Sequence, residues 1–292
     1  MLAVCAIAVA ALFAASPSSA QVRLKMMTFN IRYDNPADSI YNWSHRKDMV
    51  YEVMDSVKPD VAGLQEVLFS QLTELKGRLK DYSFFGVGRD DGEIKGEFVP
   101  VMYKTSRFSK VDGSYFWLSK TPDVAGSKSW KTACTRMVTW VMLRDRQTNM
   151  VFFVFNTHFD HASEEARVES ARLLKAKIAE ITSGRPVIIC GDFNSTSEGE
   201  AYKILTATSA TAVYFRDSRL CAPDSLSRKE PLYSFGGFPF QAQNGNIIDF
   251  IFTGSRPPWK TVAYHVVTIS RSGRYPSDHL PVTAEFEIKS LK

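Results

Sequence analysis

A chain of 292 residues allows one large domain or two smaller ones. Hydrophobic residues at 45% and charged residues at 23% are the ordinary balance of a globular protein with a sizeable core. Beyond the N-terminus no stretch is long and apolar enough to cross a bilayer as a helix, and the formal net charge of +5 permits an anionic partner without identifying one.

The first twenty residues stand apart. Met1 to Ala15 is almost wholly apolar, and Ser18-Ser19-Ala20 supplies small residues for cleavage after Ala20. This is the pattern of a secretory signal, and it predicts a secreted or periplasmic protein. A buried N-terminal helix is the competing reading. Lipidation at Cys5 is disfavoured, because the apolar run follows that cysteine instead of preceding it. Residues 1–20 are therefore read as a signal peptide and 21–292 as a single catalytic domain, with no linker or charge block to divide it. Cys134, Cys190 and Cys221 show neither a disulfide framework nor a zinc spacing.

Apolar, β-branched or aromatic runs predict strands over 25–33, 61–67, 99–103, 137–143, 151–159, 187–193, 247–252 and 282–288. Between them, Met49, Val50, Val53, Met54 and Val57 make one helical face, stopped by Pro59. Val168, Ala171, Leu174, Ile178 and Ile181 make another. Strands interspersed with helices imply an α/β fold.

Polar residues interrupt these strands in a consistent way. Asn30, Glu66, His158, Asp192, Asn194 and Asp249 lie in or at the end of apolar strands, and Asp278 and His279 immediately precede the last one. Singly, each reads as a turn former or a hydrogen-bonded core residue. Together they predict one acidic, histidine-containing pocket on the rim of a sheet. No Ser, Cys or Lys is arranged as a nucleophile, and there is no P-loop. Hard carboxylate and amide oxygens suit Mg²⁺, with Mn²⁺ as a substitute, better than Zn²⁺. A carboxylate-held metal polarises a phosphoryl oxygen, a second carboxylate deprotonates water, and a histidine offsets charge on phosphate. Water attack on a phosphoester is the economical reading.

Met27-Thr28-Phe29-Asn30-Ile31-Arg32, Leu64-Gln65-Glu66, Asn156-Thr157-His158, Gly191-Asp192-Phe193-Asn194, Ile248-Asp249-Phe250-Ile251 and Ser277-Asp278-His279-Leu280-Pro281 follow one another in this order. They resemble the endonuclease/exonuclease/phosphatase superfamily, and a bacterial secreted branch within it. The resemblance implies a four-layered α/β sandwich of two packed mixed β-sheets flanked by helices. It implies Glu66 as main metal ligand, with Asn30 in or beside the metal shell and Asp278 in a supporting or second-metal position. It implies Asp192 as the group that handles the attacking water, Asn194 and His158 as phosphate contacts, and Asp249 as the partner that orients His279 against the scissile phosphate. Trp43 and Arg46 are candidates to line the substrate cleft. Arg136, Asp160, His161 and Arg167 either face it or form a surface loop and helix N-terminus with ordinary ion pairs. An acidic loop, Asp90-Asp91-Gly92-Glu93, would disfavour a long polyanion at the rim. The expected activity is hydrolysis of a small or terminal phosphoester by a monomer. A nucleic-acid hydrolase remains the alternative. A non-catalytic binding protein is the second alternative, although it would typically lose Glu66 or His279.

Overall fold

The computed structural model describes residues 22–208, 214–223, 231, 233–241, 246–254 and 259–288; the leader and Cys5 lie outside them. Among the described residues, twelve strands form two six-stranded sheets. The first runs β11 (Trp259–Val266), β12 (Val282–Ile288), β1 (Arg23–Asn30), β2 (Val61–Gln65), β4 (Val101–Lys104), β3 (Tyr82–Phe85). The second runs β5 (Phe108–Trp117), β6 (Met137–Asp145), β7 (Val151–His158), β8 (Val187–Asp192), β10 (Asp249–Gly254), β9 (Phe215–Asp217).

Burial on both faces explains the apolar runs. In β1, Leu24 and Met26 point between the sheets, whereas Met27 and Phe29 point outward against helices. The inter-sheet core includes Val61, Val101, Val141, Phe152, Val154, Ile188, Ile251 and Phe286. Outside the first sheet, α1 (Trp43–Val57) and α2 (Phe69–Arg78) bury Val50, Val53, Leu72 and Leu75. Outside the second, α3 (Glu164–Thr182) and α4 (Glu200–Thr206) bury Leu174, Ile178, Tyr202 and Leu205. Helix, sheet, sheet, helix is the expected four-layered sandwich, and both sheets are mixed.

Each sheet contains one parallel pair, β1 with β2 and β7 with β8. Parallel neighbours need a crossover connection, and α1 and α3 supply it. Their antiparallel neighbours β12 and β10 begin where β1 and β8 finish. One edge of the sandwich therefore collects Asn30, the Gln65-Glu66 step, His158 and Asp192 from strand ends, and Asp249 and His279 from strand beginnings. Below this edge the two sheets are fastened by a buried amide network. Gln65 donates to Asn156 Oδ1 at 2.7 Å and Thr28 Oγ1 at 3.1 Å, while Asn156 donates to the carbonyls of Leu64 at 2.7 Å and Pro100 at 2.9 Å. The sheets approach so closely here that a Cβ on Gly63 would lie 2.3 Å from Cys190 Sγ. Cys190 is a core residue, as its apolar run predicts.

Candidate active site

The innermost group is a carboxylate–histidine pair. Asp249 opens β10 opposite Asp192 in register, and its Oδ2 meets His279 Nδ1 at 2.9 Å. Ser234 Oγ donates to the same oxygen at 2.7 Å and accepts the backbone N–H groups of Ile248 and Asp249, which fixes the carboxylate's direction. Burial opposes charge on His279, but Asp249, Asp192 and the Asp249 hydrogen bond outweigh it and push the ring up to about 10. His279 is thus an imidazolium whose Nε2 lies 3.6 Å from Asp192 Oδ2.

Asp192 ends β8 fully enclosed. Its Oδ1 accepts from Asn194 N at 2.9 Å and its Oδ2 from Asn30 Nδ2 at 3.0 Å. Burial, then the charge of Asp249, raise its pKa, which suits a group that must take up a proton. Asn30 also donates to Glu66 Oε1 at 3.0 Å, and its own oxygen accepts Arg32 N at 3.0 Å. The amide therefore spaces two carboxylates through its nitrogen, beside the Glu66 carboxylate. Glu66 follows β2 with φ +58°, Arg32 follows β1 at +57°, and Asn194 follows β8 at +46°. Three non-glycine residues in the left-handed region at one rim mark strain that the surrounding hydrogen bonds must hold. Glu66 Oε2 accepts Tyr33 N at 3.2 Å, and Arg32 bridges Glu66 at 3.7 Å and Asp278 at 3.9 Å. Burial and repulsion from Glu66 raise the pKa of Asp278.

His158 is a neutral donor. Burial, together with Arg136 and Arg89, drives its pKa well down, so the 3.4 Å approach to Asp192 is not an ion pair. Asn194 Nδ2 donates to Phe159 O at 3.0 Å, which identifies it as the nitrogen, and the same atom lies 3.0 Å from His158 Nε2. The ring's Nε2 thus lies between Asn194 Nδ2 and Asp192 Oδ2, and its Nδ1 is buried without a hydrogen-bond partner.

These groups open into a cavity of about 470 Å³. Arg32, Arg89 and Arg136, with His158, His161 and His279, supply its nitrogens; Glu66, Glu97, Asp192 and Asp278 supply its carboxylates; Phe235 borders it. Two sets of donors fit a divalent ion. Asp192, Asp249 and His279 bring ligand atoms within 4.8 Å of one another and can coordinate one. Glu66 and Asp278 offer a second, all-oxygen pair. A proton on His279 competes with the first set and not with the second.

Several expected substrate contacts lie elsewhere. Trp43 is 3% exposed in the core under α1. Arg46, 1% exposed, stacks over Trp43 and donates to the carbonyls of Ile31, Arg32, Tyr33, Tyr41 and Pro276. It braces the segment after β1 against the one leading into Ser277-Asp278-His279. Asp160 is fully buried, and hydrogen bonds from Ser163, Thr132, Ala162 and Cys134 hold its pKa down at about 2 despite that burial. Arg167 is tied to Glu164 and to Asp160 O. Only Arg136 and His161 of this group line the cavity. Asp90, Asp91 and Glu93 do not line it; the same loop contributes Arg89 and Glu97. Arg89 and Arg32 were not singled out from sequence. For Arg32 the signal was its place in the Asn30-Ile31-Arg32 motif, but Arg89 sits in a loop whose acidic residues masked it.

Among solved structures, an endonuclease/exonuclease/phosphatase from Bacteroides vulgatus is 35% identical and superposes with a TM-score of 0.84, covering 92% of this chain and 100% of that one. A mannosyl-6-phosphatase from Bacteroides thetaiotaomicron is 32% identical, with a TM-score of 0.80 over 90% of this chain and 99% of that one. Rat nocturnin is 25% identical over 272 residues, 84% of this chain but only 58% of nocturnin's own length. A buried Asp-Asp-His cluster able to hold a divalent ion, on this fold, supports metal-dependent phosphoester hydrolysis. The model of the Endonuclease/Exonuclease/phosphatase family matches residues 27–279, and the chain belongs to that family.

Proposed function

We propose that this protein is an exported, Mg²⁺-dependent phosphoesterase of a bacterial branch of the family, hydrolysing a small or terminal phosphoester by direct attack of water. The observation that carries the reading is the convergence of the Asp249-bound His279, Asp192 and the Glu66 and Asp278 carboxylates on one cavity of about 470 Å³. When bound, the metal ion supplies Lewis-acid polarisation of the phosphoryl oxygen and stabilises the leaving oxygen. Glu66 and Asp278 would hold it. Asp192 takes the proton of the attacking water, and its contacts to Asn30 and Asn194 N fix the direction in which that proton arrives. His279, held charged and oriented by Asp249, neutralises charge building on the phosphoryl group. His158 lines the same wall, and Asn194, whose amide nitrogen faces Phe159 O and His158 Nε2, would hold that ring in place beside the phosphoryl group.

The size of the cavity suits a small ligand. The mannosyl-6-phosphatase relative supports a sugar phosphate over a long polyanion. A substrate panel with Mg²⁺ tests this: hexose phosphates, inositol phosphates, phosphocholine lipids, oligonucleotides and plasmid DNA, each at two salt concentrations. Turnover of a small ester with a shallow salt dependence, equivalent to about one or two phosphate contacts, is expected. Efficient, steeply salt-sensitive nicking of plasmid with little action on small esters would restore the nuclease reading. Export is tested by mass spectrometry of the native protein, which should begin at Gln21; an intact Met1 on a cytoplasmic species would overturn it.

A further inference from the structure

Arg136 is unusual for a buried arginine. It enters the cavity wall just before β6, is 5% exposed, and makes one hydrogen bond, from Nη2 to His161 Nδ1 at 3.1 Å. Its Nε and Nη1 have no partner among the described residues. Asp160 Oδ2 lies 3.8 Å from Nε, beyond hydrogen-bonding reach, and that carboxylate is already saturated by Thr132, Ala133, Cys134, Ala162 and Ser163. Arg89 faces the same space; its Nη1 donates to Glu97 at 2.6 Å, and its Nε is likewise buried without a hydrogen bond, 3.9 Å from Asp90 Oδ1. Burial and the neighbouring Arg89 both disfavour the charge on Arg136, with Glu97 opposing them. Arg136 and Arg89 thus line one cavity together with His158, and Arg136 has no carboxylate within hydrogen-bonding distance. Unused donors of this kind are costly in a buried site unless a ligand takes them.

We propose that Arg136 and Arg89 form a binding site for the non-bridging oxygens of a terminal phosphoryl group, so that the enzyme selects phosphomonoester dianions over diesters. The inference rests on the phosphoesterase reading above. A diester has one anionic oxygen fewer, and its second ester substituent would occupy the space where these donors converge. Planar guanidinium forks match phosphate oxygens in pairs, and each charge-assisted bond is stronger than a neutral one. Arg136 is a specificity residue here, and the chemistry of the ester bond stays with Asp192 and His279.

The test compares para-nitrophenyl phosphate with bis-para-nitrophenyl phosphate, which share a leaving group, in the wild type, Arg136→Gln and Arg136→Lys. The Gln variant should lose about a hundredfold in kcat/KM on the monoester and no more than about threefold on the diester. The Lys variant, which keeps charge but not the fork, should fall between. Calorimetry with inorganic phosphate and metal-free protein should show binding weakened about tenfold or more in the Gln variant. Its melting temperature should not fall, because the change removes a buried charge with unused donors. Equal losses on both esters, or unchanged phosphate binding, overturn the proposal. A lowered melting temperature with parallel losses would mark Arg136 as a brace and also overturns it; if the Gln variant does not fold, the Lys variant carries the same comparison. A wild type that binds phosphate but hydrolyses neither ester with Mg²⁺ contradicts the phosphoesterase reading, and the calorimetry still decides the arginine site.

Discussion

Replacing Asp249 by Asn removes one charge from the most enclosed part of the site while keeping the shape of the side chain. Lifting His279 from 6.5 to about 10 amounts to roughly 5 kcal/mol of net preference for the cation. Asp249 is the largest raising contribution, through charge and hydrogen bond together, with Asp192 next and Asp278 last. Burial opposes these contributions, so removing the largest of them leaves desolvation less opposed and the ring should titrate well below its wild-type value. The alkaline fall in kcat should move down by the same amount. The ring would also lose its fixed direction, so kcat should fall about a hundredfold or more. Stability follows with a definite sign. A histidine raised in the folded state contributes stability that is complete below its unfolded pKa of 6.5 and is lost as pH rises through about 10. In Asp249→Asn that loss should occur at lower pH and be smaller. The assay is a histidine NMR titration with a pH–rate profile for the wild type, Asp249→Asn, His279→Ala and the double variant. Strictly additive losses in log rate, with an unmoved His279 titration, would refute the coupling.

Three further perturbations have expected outcomes. Glu66→Gln removes the most accessible carboxylate of the metal pair, so turnover should drop by about a thousandfold with the melting curve intact, and unchanged, chelator-resistant activity would remove Glu66 from the metal site. Gly63→Ala drives a methyl group into Cys190 and Asn156 where the two sheets meet; denaturant unfolding should show a loss of about 1–3 kcal/mol, and a neutral result would mean the sheets can part there freely. Arg46→Met removes the guanidinium donor from five carbonyls, of which those of Ile31 and Pro276 are buried; a loss of about 3 kcal/mol in stability is expected, and a fully stable variant with impaired substrate binding would return Arg46 to the cleft.

The strands that the sequence reveals are the eight interior ones, and the four it hides, β3, β5, β9 and β11, are the sheet edges. Interior strands are buried on both faces and read as unbroken apolar runs, whereas edges are half-solvated. β5 alternates into Lys110 and Asp112 across a bulge, and β11 is bulged between Thr261 and Ala263. α2 went unread because it buries few apolar residues over ten positions. At the site, strand-end carboxylates and histidines were legible because polar groups are conspicuous in apolar strands. The loop residues were not. Whether Trp43, Arg46 or Asp160 faces ligand or core depends on chain path, and all three turn inward to fasten the loops that carry the site. Arg89 shows the converse, since only the fold decides which members of a mixed-charge loop face the cavity.

Metal-dependent attack of water at phosphorus is tested most directly by following phosphate release from a hexose phosphate in oxygen-18 water, before chelation, after it, and after Mg²⁺ is restored. The account predicts that chelation abolishes release, that Mg²⁺ restores it, and that each phosphate carries one labelled oxygen. Chelator-resistant release, or unlabelled phosphate with the label in the sugar, would contradict it.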